Sequence, residues 1–495
     1  MNYYRPATQL ILTLFLFSGC AMNNATENYQ EPYRPQFHFT PPTHWMNDPN
    51  GMFYYKGEYH LFYQHYPEDI VWGPMHWGHA VSKDMVHWEH LPIALYPDRL
   101  GYIFSGSAVV DWKNTSGLGT AENPPIIALF TYHDPEGEKA NTNDFQTQGM
   151  AYSLDQGRSW TKYAQNPVLA NPGIRDFRDP KVIWHEASER WIMSLAVQDH
   201  IAFYSSPNLI DWEKQSSFGQ ALGAHGGVWE CPDLFPLEDQ NGNRKWVLLV
   251  SINPGGPQGG SATQYFVGDF DGQSFTPQDD EVRWMDWGSD NYAGVTFSDL
   301  PETSSNRILM GWMSNWAYAN QVPTKPWRSA LTLPRSLSLN QQENQRYVLQ
   351  SAVIDAVDSL LGPSQDLQPE QSNALGADTI KLTLEVQPDT DWSVELSNPL
   401  GETFKVYHQE GQIRIDRSQS GDNQFSDAFA KVMQIPLEQV TVRGLILYID
   451  RSSVELFVND KALVATNLIF PTVPFDQVKL DKIKAGKQQI ISSIW

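Results

Sequence analysis

The sequence predicts an all-β protein, a five-bladed β-propeller followed by a C-terminal β-sandwich. Three observations carry this reading. Short apolar or alternating runs bounded by Gly, Pro, Asn and Asp recur along the chain, while amphipathic helical patterns are scarce. In the first two thirds these runs end repeatedly in a Ser-x-Asp turn followed by an aromatic residue. Past a polar stretch, period-two alternation resumes without that repeat.

The repeat sets the propeller. Ser82-Lys83-Asp84 leads to Trp88, Ser153-Leu154-Asp155 to Trp160, and Ser206-Pro207-Asn208 to Trp212. A degenerate copy, Gly268-Asp269-Phe270-Asp271-Gly272, leads to Phe275. Between the copies lie solid strands such as Trp191–Val197 and Trp246–Val250. Strand groups about 50–70 residues long are the size of four-stranded blades, and residues 36–340 hold five of them. Residues 341–377 are rich in Gln, Ser, Pro and Asp and read as a connecting segment. Residues 378–495 read as the sandwich, with alternation in Ile380–Val386, Leu445–Asp450 and Ser453–Val458, and a hairpin turn at Asn459-Asp460.

The N-terminus reads as an export signal over residues 1–19. Arg5 precedes an apolar run, Leu10–Phe17, that is too short for a bilayer core, which needs roughly 20 residues. The run ends in Phe17-Ser18-Gly19-Cys20, which resembles a bacterial lipobox, so Cys20 is expected to carry a lipid anchor. Ala21, standing in place of an Asp, favours delivery to the outer membrane. Residues 20–35 read as a flexible tether.

Composition narrows the partners. The formal net charge is −23, so the surface repels phosphate backbones and nucleic acid is not expected as a partner. The two cysteines, Cys20 and Cys231, allow no disulfide framework. Eighteen Trp residues are more than core packing comfortably needs, and exposed indole faces stack on sugar rings. Eight of the thirteen His fall between His38 and His90, but pairs such as His76/His79 lie on opposite faces of a strand. No metal site and no cofactor are expected.

Three acidic clusters carry the candidate chemistry. In Trp45-Met46-Asn47-Asp48-Pro49-Asn50-Gly51, Pro49 restricts Asp48 and Asn50-Gly51 turns the chain, fixing the carboxylate on a tight turn. In Arg178-Asp179-Pro180 a guanidinium beside a carboxylate holds it ionised. In Trp229-Glu230-Cys231-Pro232, burial of Glu230 between an indole and a thiol raises its pKa, as a general acid requires. Each cluster alone also fits a bland structural role: a plain Asp-Pro turn, a surface ion pair, an acid at a strand end.

Together, in order and type, the clusters resemble glycoside hydrolase family 32, the invertase, inulinase and levanase group. Phe104-Ser105-Gly106-Ser107 is similar to that family's substrate-contacting segment. Gln64 in His60–Gln64 and Trp72 in Trp72-Gly73-Pro74 resemble its fructose-binding residues. Asn315–Asn320, with Trp316, and Pro326-Trp327-Arg328 are similar to segments of exo-acting members. The resemblance covers about residues 36–495 and implies the same propeller and sandwich. It implies Asp48 as nucleophile, Glu230 as acid/base and Asp179 as a stabilising carboxylate held by Arg178. Asn47, Gln64, Trp72, Phe104, Ser105, Arg178 and Trp316 are the implied substrate contacts. The implied substrates are fructans, levan or inulin, and sucrose, with fructose released from chain ends by a retaining mechanism. Cys231 is read as a thiol packed beside Glu230. An endo-acting or fructosyl-transferring enzyme shares all three carboxylates. A glycan-binding lipoprotein without catalysis has no use for them, and five-bladed arabinan hydrolases lack the Trp-Met-Asn-Asp-Pro-Asn-Gly string.

Overall fold

The computed structural model describes residues 29–301, 307–437 and 440–495, together with Met1. The expected export segment and Cys20 lie outside the described residues. Among the described residues no helix is long and apolar enough to cross a membrane.

Five antiparallel sheets form the propeller. Blade I holds His44–Tyr55, Glu58–Tyr66, His76–Ser82 and Trp88–Leu95. Blade II holds Tyr102–Val110, Ile126–His133, Gln146–Ser153 and Thr161–Lys162. Blade III holds Phe177–His185, Arg190–Val197, His200–Ser206 and Glu213–Phe218. Blade IV holds Val228–Glu238, Arg244–Asn253, Ala262–Phe270 and Phe275–Pro277. Blade V holds Tyr292–Thr296, Arg307–Met313, Arg335–Gln341 and Tyr347–Val353. The first strands of the five blades touch one another in a closed ring, I to II to III to IV to V and back to I. Trp327–Arg328 then runs parallel to His44-Trp45, drawing the two ends of the ring together.

The solidly apolar strands follow from this stacking. A blade is covered on both faces, so both faces of its middle strands are apolar. Trp191, Met193, Leu195 and Val197 pack toward blade II, while Ile192 and Ala196 pack toward blade IV. In blade IV, Trp246, Leu248 and Val250 face blade III, and Val247 and Leu249 face blade V. Each such fully buried aliphatic side chain is worth roughly 1.5–3 kcal/mol.

The sequence repeat is the turn between the third and fourth strands. In blade I, Asp84 Oδ1 accepts the Ser82 hydroxyl at 3.0 Å and the backbone N–H of Val86 and His87. The Trp88 indole then donates to Met85 O at 3.1 Å. Trp160 donates to Gly157 O and Trp212 to Leu209 O in the same way. The accepting residue has positive φ each time, at 63° for Met85, 81° for Gly157 and 65° for Leu209. The degenerate copy keeps this geometry, with Gly272 at 95° three residues before Phe275, although a phenyl ring has no N–H to donate.

Two expected boundaries are corrected. The break at residue 340 falls inside blade V, because Tyr347–Val353 pairs with Arg335–Gln341 as its outermost strand. Residues 341–377 are therefore no free connection; Gln365–Leu367 and Ser372–Ala374 also join the edges of the two sandwich sheets. Edge strands carry polar outward faces, which imitates linker composition. Likewise residues 29–35 of the expected tether are docked. The Arg34 guanidinium is 1% exposed and donates to Thr40 Oγ1 and to the carbonyls of Pro41 and Pro42, and Tyr29 stacks on Trp495 at 4.1 Å.

The sandwich packs two six-stranded sheets around one apolar core. Its strand Ser453–Val458 is buried on both sides: Val454, Leu456 and Val458 enter that core, and Phe457 faces the propeller. The propeller-facing side also carries buried charge. Glu455 accepts from Arg335 at 2.5 Å and lies 2.9 Å from His38 Nε2, and His38 Nδ1 lies 2.8 Å from Asp450. Arg335 also pairs with Asp286, and Arg417 with Asp290. These pairs tie the N-terminal segment, blade V and the sandwich into one unit.

Candidate active site

Every blade's innermost strand loses ladder register at the same level. The breaks fall at Met46/Pro49, Ile103/Gly106, Arg178/Lys181, Glu230/Asp233 and Tyr292/Val295. Bulges of this kind free side chains from the pleat and aim them into the channel. Asp179, Cys231 and Ala293 take positive φ at 63°, 46° and 52° inside their breaks. Pro49, Pro180 and Pro232 sit where no ladder N–H is called for. Gly106 is fixed sterically, since a Cβ there would lie 2.0 Å from Leu129 O.

The breaks surround one cavity of about 450 Å³. Asn47, Asp48, Gln64, Trp72, Phe104, Ser105, Arg178, Asp179, Glu230 and Trp316 all line it. The structure thus brings together every candidate site residue except Cys20, which is not described. Asp48 and Asp179 lie deep, 9% and 5% exposed, while Trp72 at the mouth is 37% exposed.

Asp48 Oδ2 accepts the Ser105 hydroxyl at 2.8 Å. Its Oδ1 is buried and has no hydrogen-bond partner among the described residues. Burial raises the Asp48 pKa, the Glu230 charge adds to this, and the Asn47 amide opposes it. Asp179 Oδ2 accepts the Cys231 backbone N–H at 3.0 Å, and the Asp179 N–H donates to Thr131 Oγ1. The Cys231 thiol lies 3.6 Å from both Asp48 Oδ2 and Asp179 Oδ2. Glu230 is held by Arg178, whose Nε lies 2.9 Å from Oε1, and by the Tyr292 hydroxyl on Oε2. The Gln64 Nε2 group is buried, unpartnered among the described residues and open to a ligand hydroxyl.

Three local readings are corrected here. Arg178 does not hold Asp179; its guanidinium pairs with Glu230 and with Asp176 at 2.7 Å, because the bulge turns Asp179 away from its neighbour. Nor does Arg178 keep Asp179 in the usual carboxylate range. Burial pushes it up to about 7, with Arg178 opposing and Glu230 and Asp48 adding. Glu230 is not enclosed by indole and thiol: Trp229 is fully buried, donating to Ala224 O, and Cys231 points to the two aspartates. Residues adjacent on a strand face opposite ways, so sequence neighbours are not spatial neighbours. Burial and the surrounding carboxylates push the Cys231 thiol well up, which keeps it protonated and a donor.

Sequence reasoning missed Tyr292 and part of the wall: His133, Glu138, Gln146, Arg175, Asp176 and Asn253. Tyr292 had a legible signal. Tyr292-Ala293-Gly294 in blade V occupies the place of Arg178-Asp179-Pro180 in blade III and Glu230-Cys231-Pro232 in blade IV. Of the others, His133, Gln146 and Asn253 stand at strand ends, Glu138 lies in the short helix Pro135–Lys139, and Arg175 and Asp176 lie in the loop before Phe177; none carries a pattern of its own.

Comparison with known proteins places this arrangement. The glycosyl hydrolases family 32 N-terminal domain matches residues 38–351, and the family 32 C-terminal domain matches residues 354–495. A levanase of Bacillus subtilis is 47% identical over 93% of this chain and 70% of its own length. An extracellular exo-inulinase of Aspergillus niger is 40% identical over 90% of this chain and 91% of its own. The crystal structure of exo-inulinase from Aspergillus awamori superposes with a TM-score of 0.86 at 36% identity, covering 94% of this chain and 100% of that one. The β-fructofuranosidase from Schwanniomyces occidentalis, complexed with fructosyl-erythritol, gives a TM-score of 0.82 at 32% identity over 94% and 98%. With both domain models matched over nearly the whole described chain, the protein belongs to glycosyl hydrolase family 32.

Proposed function

We propose that this chain is a retaining β-fructofuranosidase that removes terminal fructose from fructans and cleaves sucrose. The observation that carries the proposal is the placement of three carboxylates around one cavity. Asp48 presents a free Oδ1 at its base, and Glu230 stands nearer the mouth with its side chain 20% exposed. A retaining glycosidase needs two carboxyl groups about 5–5.5 Å apart. Closeness is supported here by the Glu230 charge, which raises the Asp48 pKa alongside the larger effect of burial.

Asp48 Oδ1 attacks C2 of the terminal fructose while the C2–O bond to the leaving group breaks. Glu230 passes its proton to the departing oxygen. Glu230 then takes a proton from water, which attacks C2, breaks the ester and leaves fructose with its configuration retained. Asp179 shares a hydrogen bond with a fructose hydroxyl. Gln64, Asn47 and Ser105 hold others, and Trp72, Phe104 and Trp316 supply apolar walls. Action at chain ends is supported by the exo-inulinase relatives. The names of the levanase and exo-inulinase relatives support a fructan substrate. The Ser18-Gly19-Cys20 sequence supports export with a lipid anchor at Cys20.

The test is product stereochemistry with an activated aryl fructoside and azide. In Glu230→Ala, azide intercepts the fructosyl–enzyme and gives the retained product. In Asp48→Ala it attacks the substrate directly and gives the inverted one. General acid–base catalysis is worth about 10²–10⁴-fold, so both variants lose at least that on sucrose. Near-parental rates in both overturn the assignment.

A further inference from the structure

The innermost strands end about 15–20 Å from the catalytic level, counting five or six residues at the strand rise. At that far end lies a second cavity of about 230 Å³, between blades II, III and V. Its walls differ from those of a plain packing void. Trp112, 56% exposed, stands at its rim with the Tyr55 ring 5.6 Å away. Among the described residues only Trp112 and Trp72 are exposed tryptophans, and Trp72 stands at the mouth of the catalytic cavity. Deeper in, Trp184 and Trp191 pack edge to face at 5.2 Å. The Trp184 indole N–H is buried without a partner among the described residues.

We infer that this cavity is a second carbohydrate-binding site, one that takes a fructose unit of a fructan chain whose end is held elsewhere. The polar groups at the cavity are balanced in charge. Lys113 and Arg307 stand against Glu186 and Asp299, so the site favours neither an anion nor a cation. A neutral polyol fits this mixture: its C–H face stacks on the exposed indole, and its hydroxyls accept from amines and donate to carboxylates. The platform is preset. The Trp112 indole donates to Asp299 Oδ1 at 2.8 Å, which fixes the ring plane, and Lys113 lies 4.5 Å from the Trp184 ring centroid and 3.6 Å from Glu186. Order here costs little on binding. Because the two sites sit on opposite ends of one rigid propeller, a long chain bound at one raises its effective concentration at the other, whereas a short substrate gains nothing. The choice of ligand rests on the fructan reading of the catalytic cavity; the existence of a second site rests on the residues above.

The experiment uses Asp48→Asn protein, which binds without turnover, and a four-unit fructo-oligosaccharide as probe. Calorimetry is expected to give two sites, and one site once Trp112→Ala is added. In gels containing levan or inulin, Trp112→Ala should weaken retardation about tenfold, a change of about 1.4 kcal/mol. In otherwise unaltered enzyme, Trp112→Ala should leave kcat/KM on sucrose within twofold of the parent. A single site in both backgrounds, or unchanged retardation, overturns the inference. If sucrose turnover falls too, the exposed rim variants Lys113→Ala and Glu186→Ala replace Trp112→Ala, and unchanged oligosaccharide binding in both overturns it. Parent enzyme that releases no fructose from any β-fructofuranoside, yet shows Trp112-dependent binding, refutes the catalytic proposal and leaves this site standing.

Discussion

Replacing His38 by Asn should remove a specific pH dependence from the stability of the whole chain. His38 is fully buried, with Nδ1 2.8 Å from Asp450 and Nε2 2.9 Å from Glu455. Burial disfavours its charge, but the two carboxylates more than offset this and raise its pKa from 6.5 to about 9. Glu455 is shifted the other way, from 4.5 to about 2; burial opposes its charge, and Arg335 and His38 outweigh that. The His38 contribution is therefore complete below pH 6.5 and is lost as pH rises through 9. The Glu455 contribution is complete above pH 4.5 and is lost as pH falls through 2. The network is strongest between these limits, in mildly acidic solution. A shift of this size is worth about 3 kcal/mol, and the two shifts partly describe one interaction, so they do not add. Unfolding entropy is roughly 1 kcal/mol/K for a chain of this length, so the expected change in Tm is about 3 °C. The variant should still fold. Asp450 keeps the backbone N–H groups of Gln36 and Phe37, and Glu455 keeps Arg335 and Leu333. The assay is calorimetric Tm against pH for parent and His38→Asn, read as their difference. The gap should be widest near pH 5.5 and close as pH approaches 9.5. A gap that is constant across this range, or that widens on the alkaline side, refutes the ion-pair account.

Cys231→Ala removes the donor shared by Asp48 and Asp179 while Ser105 still holds Asp48; kcat on sucrose should fall about tenfold, with KM little changed, the size of a lost hydrogen bond to a charged group. Tyr292→Phe frees Glu230 Oε2; the loss should be larger for sucrose than for an activated aryl fructoside, because only the poorer leaving group depends on a well-placed proton. Since burial raises Asp48, kcat/KM should drop on the acid side at a pH above that of an exposed Asp, and lowering pH should not restore it. Cys20→Ala should move the protein from the membrane to the soluble fraction of cells; full retention in the membrane would end the anchor proposal.

Much of this protein is written locally. The Ser-x-Asp…Trp turn declares a blade edge, since the carboxylate or amide, the hydroxyl, the positive-φ residue and the indole donor all lie within seven or eight residues of chain. Apolar runs such as Trp191–Val197 declare strands covered on both faces. The three acidic clusters declare the site by residue type, because Pro beside Asp48, Asp179 and Cys231 marks an edge strand or a bulge. What each acid touches was not local. A strand points consecutive residues in opposite directions, and a bulge with positive φ redirects one of them. Arg178 therefore reaches across to Glu230 in the next blade instead of serving Asp179, and Cys231 bridges Asp48 and Asp179. Tyr292 meets Glu230 only because blade V packs beside blade IV. Composition also misjudged residues 341–353, which end in the outer strand of blade V, and residues 29–35, where Arg34 is satisfied within eight residues and Tyr29 stacks on Trp495. The sequence determined which residues bulge, stack and carry charge, through backbone preferences acting over a few residues; ring closure decided which of those charges face one another, because only the packed blades bring them within hydrogen-bonding distance.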